Sequence, residues 1–324
     1  MIVLDEVTKI FSGTREPAVD RVSLRVDEGN ICVFVGHSGC GKTTILRMIN
    51  RLEEPTDGDI YIKGERVKDK HVNADELRRE IGYVIQQIGL LPHQTVEQNV
   101  ALVPRLLKWP PDKIRSRVVE LLQMVGLDPQ EVLHKYPYQL SGGMMQRVGV
   151  ARALAADPPI MLMDEPFGAV DPIIRERLQD EFLRLQKELQ KTICFVTHDI
   201  NEAIKMGDHI VILEAGKLIQ HGAPREILTS PANDFVKDLI GENKEIKLLE
   251  LTRAAELVDP QVELTPALSS NGCCVQSIDP VQRALEIMLK QNSDTVGVRD
   301  GDELIGVISW AAIKEYINAI NADS

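Results

Sequence analysis

Long apolar runs are missing from this sequence of 324 residues, and none approaches the roughly 20 consecutive apolar residues that a membrane-spanning helix needs. A membrane-spanning helix is therefore not expected in this chain. The start at Ile2-Val3-Leu4 reads as a strand and not as a basic, apolar leader, so a cytoplasmic location is expected. An excess of positive charge is missing too: Lys and Arg number 37 against 49 Asp and Glu, a net charge of −12. So acidic a surface is unsuited to holding nucleic acid or anionic lipid across its breadth. Cysteine is scarce, and Cys32, Cys40, Cys194, Cys273 and Cys274 are odd in number and show no CxxC spacing. Neither a zinc site nor a disulfide framework follows, and buried thiols in a reducing compartment are expected.

What is present is a hydrophobic fraction of 44%, enough for one large α/β domain and a smaller one. Short apolar runs at Asn30–Val35, Ile160–Met163 and Thr192–Val196 alternate with helical patterns, the signature of a parallel sheet with crossover helices. Between Gln87 and Pro159 strand signals thin out, and Ile114, Val118, Leu121, Leu122 and Val125 keep helical spacing over Pro111–Val125 before the Gly126 stop. That stretch, about 87–159, is expected to form a helical subdomain. A hairpin is predicted from His209–Glu214 and Lys217–His221 with its turn at Ala215-Gly216. The first domain is expected to cover 1–241 and a connector 242–262, with Leu248, Leu249, Leu251 and Leu257 at helical spacing. A strand-helix-strand-strand-helix unit over 263–324 completes the chain, its first helix capped by Asp279 with Pro280 at the first helical position. That helix is expected to bury Val281, Ala284, Leu285, Met288 and Leu289 on one face.

Three of the apolar runs end in polar residues of a kind that handle phosphate. Gly36-His37-Ser38-Gly39-Cys40-Gly41-Lys42-Thr43, with Thr44 next, has the GxxxxGK[ST] form. Its glycines let backbone amides wrap a phosphate, Lys42 reaches the β/γ oxygens and Thr43 can ligate Mg²⁺. Asp164 follows four apolar residues and suits a carboxylate acting on Mg²⁺ through water, while Glu165 beside it is the candidate general base. Such acid pairs are commonly solvated turns, but the apolar strand leading into this one favours a site. Between these motifs lies a second glycine-rich helix start, Leu140-Ser141-Gly142-Gly143-Met144-Met145-Gln146. A helix N-terminus attracts anions, and this one has no second triphosphate of its own, which suggests that it completes the site of another copy of the chain.

With these motifs in this order, residues 1 to 240 resemble the ATP-binding cassette (ABC) ATPases. The resemblance implies a P-loop NTPase core of parallel sheet, an antiparallel β subdomain and a helical subdomain, joined here to a small α+β C-terminal domain, with ATP and Mg²⁺ as ligands. It implies that Ser141, Gly142 and Gly143 contact the γ-phosphate held by a second copy. Gln86 would touch Mg²⁺ and the attacking water, with Gln87 as the weaker candidate. Phe11 would stack on adenine, Gly168 to Asp171 would form the loop that crosses the dimer, and His198 would be the switch histidine at the γ-phosphate. A lone histidine after a strand is more often structural, but the place of His198 between Thr192–Val196 and Asp199 favours the functional role. The usual signature has Gln where this chain has Met144; the Ser-Gly-Gly cradle is intact, so dimerisation and hydrolysis are expected to persist with affinity or coupling altered.

The same resemblance implies transmembrane permease subunits as partners and, indirectly, an extracytoplasmic solute-binding protein, with the chain peripheral at the cytoplasmic face of the membrane. The stretch Gln86–Val96, with Asn99–Pro104 after it, is similar in wording to the bacterial osmoprotectant importers for glycine betaine, carnitine and choline. Residues 296–309 resemble a single cystathionine-β-synthase-type (CBS) motif. Its nucleotide-binding form has Asp where this chain has Ala312, so packing or dimerisation is the expected role. Import of another solute, such as an amino acid, is the alternative function. A non-transport ABC ATPase fits less well, since a second cassette, a long coiled coil and a zinc insertion are all missing from the sequence.

Overall fold

The computed structural model describes residues 1–85, 89–168, 171–259 and 274–322. They group into two compact units, Met1–Gly222 and Ala223–Ser324. The first opens with strands β1 (Ile2–Lys9), β2 (Val19–Val26) and β3 (Ile31–Val35), the last leading into the glycine loop and helix α1 (Lys42–Ile49). There follow β4 (Asp57–Ile62), β5 (Glu65–Arg66), α2 (Ala74–Arg79) and β6 (Ile81–Val84). Next come the helices α3 (Val96–Val100), α4 (Leu102–Leu106), α5 (Pro111–Met124), α6 (Pro129–Val132) and α7 (Gly142–Leu154). The unit closes with β7 (Ile160–Asp164), α8 (Pro172–Leu189), β8 (Thr192–Thr197), α9 (Ile200–Met206), β9 (His209–Glu214) and β10 (Lys217–Gly222).

A six-stranded sheet in the order β10-β9-β3-β8-β7-β6 forms the centre. Its strands run parallel from β9 to β6, and β10 pairs antiparallel as the second arm of the expected hairpin. Every residue of β3, β7 and β8 is buried, as helices on both faces of a parallel sheet require. Register places Cys32 beside Cys194 and Asp164 beside Val196, so the ends of β3, β7 and β8 lie together. A four-stranded sheet, β2-β1-β4-β5, is the antiparallel subdomain, with Leu4 opposite Leu24 on one side and Ile60 on the other.

The helical subdomain is built as its sequence spacing requires. α5 buries Ile114, Val118, Leu121 and Leu122, and α7 packs against α3, α5 and β6. Thr95 and Gln98 close a reciprocal capping box on α3. Behind it Asn99, fully buried, accepts from the Leu91 amide at 2.7 Å and donates to the carbonyls of Leu91, Gln94 and Thr95 at 3.0 to 3.2 Å. One side chain thus fastens the loop that precedes the helix.

The second unit holds α10 (Pro224–Thr229), α11 (Asp234–Ile240), α12 (Lys244–Leu251), β11 (Cys274–Gln276), α13 (Val281–Gln291), β12 (Thr295–Asp300), β13 (Glu303–Ser309) and α14 (Trp310–Ala322). Its sheet runs β11-β12-β13, so strand-helix-strand-strand-helix order is observed. Three expectations are corrected. The division falls after Gly222 and not at Gly241, because Arg225 of α10 donates to Glu256 and to the Tyr316 hydroxyl, both at 2.9 Å, inside the second unit. The stretch read as a connector supplies core: Leu249 and Ala254 are buried with Val275, Val281 and Ile308. Asp279 does not cap α13. Its carboxylate accepts from the Gln276 amide at 2.9 Å, Pro280 takes the cap position without a side-chain bond, and Leu289 is 68% exposed while Val281, Ala284 and Met288 are buried. Residues 260–273, including Cys273, lie outside the described residues.

Candidate nucleotide site

Two glycines of the Gly36–Thr43 loop are required by their surroundings. Gly36 has φ +152°, and a Cβ there would sit 2.2 Å from the Leu213 carbonyl oxygen; Gly41 has φ +104°, and its Cβ would sit 2.3 Å from the Ala18 carbonyl oxygen. No other residue fits either place. His37, Ser38 and Gly39 form the exposed crest of the loop, and Cys40 is buried beneath it. Gly41 caps α1 without a side-chain bond, and the first turn holds no acid, so the backbone N–H groups there are left for an anion. Thr44 is half-buried in the same first turn.

The Lys42 ammonium donates to the carbonyls of Gly36 at 2.6 Å and His37 at 2.9 Å, so a buried cation is held against the loop that would wrap a phosphate. Thr43 Oγ1 donates to Asp164 Oδ1 at 2.9 Å. Burial pushes the Asp164 carboxyl above the usual carboxylate range, and the charge of Glu165 adds to this; the Thr43 bond, Arg47 and Lys42 oppose it. A hydroxyl and a desolvated carboxylate are both hard oxygen donors, of the chemistry that would hold Mg²⁺.

Glu165 follows the end of β7 with φ +47°, a left-handed conformation that costs a non-glycine residue energy and turns the chain sharply at the strand end. It is held there by its amide on the Val196 carbonyl at 3.0 Å and by its own carbonyl, which accepts from the Gly168 amide at 3.1 Å. A Cβ at Gly168 would stand 3.3 Å from Glu165 Oε2, so glycine leaves the carboxylate its room. From the neighbouring strand end, His198 brings Nδ1 to 3.4 Å from Glu165 Oε1. The sheet edge therefore gathers the glycine loop, Asp164, Glu165 and His198 as the sequence predicts.

The second glycine motif lies at the start of α7, in the helical subdomain. Ser141 caps it, its hydroxyl accepting from the Met144 amide at 3.3 Å, so Met144 enters the cap through its backbone. A Cβ built on Gly142 or Gly143 would meet nothing within 4 Å, which leaves this helix start open to approach from outside. Phe11 is 36% exposed, with the Lys9 ammonium 5.0 Å from its ring centre. Gln86 and Gln87 lie outside the described residues, as do residues 169 and 170 between Gly168 and Asp171.

Against this geometry stand the comparisons. A glycine betaine/carnitine/choline transport ATP-binding protein from Bacillus subtilis (strain 168) is 48% identical over 94% of this chain and 77% of its own length. The chain belongs to the ABC transporter ATPase family. The family pattern described as ABC transporter matches residues 19–168. An osmoprotectant import ATP-binding protein from Salmonella typhimurium (strain LT2) is 47% identical over 93% of this chain and 77% of its own length. Among solved structures, an ATP-binding cassette captured as a dimer in a post-hydrolysis state with ADP and Pi superposes with a TM-score of 0.63. It shares 38% identity and covers 69% of this chain and 99% of its own.

For this ABC ATPase two buried polar groups were not foreseen: Asn99, which fastens the loop from Leu91 to Thr95, and Glu202, in α9 just after His198. Asn99 and Glu202 sit at apolar phases of their helices, and a polar residue in such a phase is the signal that could have found them.

Proposed function

We propose that this ABC ATPase is the hydrolysing subunit of an importer for glycine betaine, carnitine, choline or a related compatible solute. It works as a homodimer against transmembrane permease subunits, peripheral at the cytoplasmic face, with an extracytoplasmic binding protein delivering the solute. The observation that carries the solute class is the identity of 47 to 48% to relatives named for such transport, running through nearly the whole chain. No helix among the described residues is long and apolar enough to cross a membrane, so transport by this chain needs a partner that does.

ATP, when bound, supplies the phosphoanhydride whose cleavage drives the cycle. The glycine-loop amides and Lys42 bind the phosphates, Thr43 and Asp164 would hold Mg²⁺, which would neutralise phosphate charge there, and Phe11 stacks on the base. Glu165 orients a water and takes its proton on the carboxylate, a role worth roughly 10²- to 10⁴-fold, or about 3 to 5 kcal/mol of barrier. Nearby, His198 holds the γ-phosphate end of the site against Glu165, and Gln86 serves Mg²⁺ and water. Ser141, Gly142 and Gly143 of the second copy close over the γ-phosphate, and Gly168 and Asp171 flank the crossing loop. Dimerisation thereby depends on the group that hydrolysis removes.

The test is co-purification of the chain with its permease and measurement of ATPase stimulation by binding proteins loaded with a panel of solutes. Stimulation by quaternary ammonium compounds is expected; a response only to amino acids or sugars would remove the solute assignment while leaving the ATPase.

A further inference from the structure

Behind the switch histidine lies a buried carboxylate that the reaction as described does not use. Glu202 is 7% exposed, on the face of α9 that also buries Ile200, Ala203, Ile204 and Met206. An apolar side chain would pack there without the cost of desolvating a charge. Its partners lie on two elements. From α8, Gln179, itself 6% exposed, donates Nε2 to Glu202 Oε1 at 2.8 Å. At the end of β8, the Thr197 hydroxyl lies beside the same carboxylate and favours its charged form.

The Thr197 bond fixes the turn that carries His198. The Thr197 hydroxyl oxygen accepts from the Asp199 amide at 3.0 Å, directly across His198. His198, between these two residues, is thus clamped on both sides of its own backbone. The other anchor reaches toward the dimer-crossing loop. Gln179 lies two helical turns beyond Asp171 on α8, and Arg175, one turn in, donates its amide to the Asp171 carbonyl at 2.8 Å and acts on Glu202 through its charge. A second tie between the same helices, Lys205 to Asp180 at 2.8 Å, keeps α9 on α8.

We propose that Glu202 is a positioning residue for hydrolysis: through Thr197 it holds His198 in place beside Glu165, and through Gln179 it references that hold to the helix that begins at the crossing loop. The inference rests on the reading of His198 as the residue at the γ-phosphate end of the site. Glu202 works as a buried hydrogen-bond acceptor, so Gln, which keeps an acceptor oxygen, can substitute and Ala cannot.

Steady-state ATP hydrolysis by the full chain tests this. Glu202→Ala is expected to lower kcat about tenfold with KM for ATP within about twofold, because a displaced catalytic group costs rate more than binding. Glu202→Gln should keep kcat within about twofold of wild type, and Thr197→Val should reproduce the Glu202→Ala loss where Thr197→Ser does not. Thr197→Val also serves if Glu202→Ala does not fold. A Glu202→Ala/His198→Ala double variant should be no slower than His198→Ala alone. Wild-type kcat in Glu202→Ala and Thr197→Val beside a slow His198→Ala would overturn the proposal alone, as would losses that multiply in the double variant. A His198→Ala chain as fast as wild type would remove the His198 reading, and this proposal with it.

Discussion

His198 Nδ1 stands 3.4 Å from Glu165 Oε1, and the strand register that pairs Asp164 with Val196 puts both residues one step beyond adjacent strand ends. The histidine is 59% exposed and the carboxylate 24%, so the pair faces outward from a rigid edge. A general base needs this placement: a carboxylate fixed by backbone bonds on both sides yet open to water.

Replacement of Glu165 by Gln keeps size and hydrogen bonding but removes the proton acceptor. Hydrolysis should fall about 10²- to 10⁴-fold while ATP binding persists, so the variant accumulates as a nucleotide-bound dimer. Light scattering with ATP and Mg²⁺ measures this directly; rapid turnover by Glu165→Gln would require another base.

The open start of α7 allows stability and function to be separated. Gly142→Asp has room in the fold, and an acid in the first turn of a helix is stabilising by about 0.3 to 1 kcal/mol. Thermal stability should therefore hold or rise slightly. Yet the added carboxylate opposes the γ-phosphate of a second copy, so in a Glu165→Gln background ATP should no longer produce a dimer although each chain still binds nucleotide. Persistent dimer would mean that the second glycine motif does not meet the partner's phosphate.

The glycine loop, Asp164, Glu165 and His198 were legible because each follows an uninterrupted apolar strand, and a parallel sheet brings such strand ends together. The helix start at Ser141-Gly142-Gly143 was legible from its glycines, whereas the role of Ser141 as its cap came from the structure. What escaped was polar bracing between elements distant in sequence: a polar residue at an apolar helix phase marks Glu202, but its partner Gln179 emerges only when α8 is laid against α9. Likewise Asp279 has every local mark of a helix cap, but its carboxylate is taken by the Gln276 amide and its carbonyl by the Ala254 amide at 2.8 Å, a contact no local pattern announces. Arg225 reaches Glu256 and Tyr316 in the same way, and so draws α10 into the second unit despite the smooth sequence across Gly222.

Asn99 uses its side-chain amide four times on the loop from Leu91 to Thr95. Asn99→Ala leaves buried backbone groups unpaired and should cost about 2 to 4 kcal/mol, taking roughly 1 kcal/mol per lost bond. Chemical denaturation checks the cost. Asn99→Asp keeps the acceptor for the Leu91 amide but loses the donors, and should be at least as harmful at neutral pH. If this loop receives the permease, stimulation of ATPase activity by the permease should fall more than basal hydrolysis in either variant.

Cys32 and Cys194 face each other across β3 and β8, and burial pushes the Cys194 thiol up to about 12 and the Cys32 thiol well above its usual range. Both stay protonated at pH 8 and should resist alkylation in the folded chain. Cys274, half-buried at the sheet edge of the second unit, should react first of these three. Mass spectrometry of peptides alkylated before and after denaturation decides; labelling of Cys194 in the native chain would contradict its burial.

Glu202 also predicts a pH dependence of stability. Burial raises its carboxyl above the usual 4.5; Asp199 adds to this, and Thr197, Gln179 and Arg175 oppose it. A carboxyl whose folded value is raised binds its proton more tightly in the folded state, so its contribution is most favourable below the unfolded value. That contribution is lost as pH climbs from there through the folded value. Glu202→Gln has no such proton to lose. Its melting temperature relative to wild type should therefore rise between pH 4.5 and pH 8, the raised Asp164 being common to both chains and cancelling in the difference. Paired thermal melts across that range make the measurement. A difference that stays flat with pH would show that Glu202 titrates alike in the folded and unfolded chains, and that its burial carries no electrostatic cost.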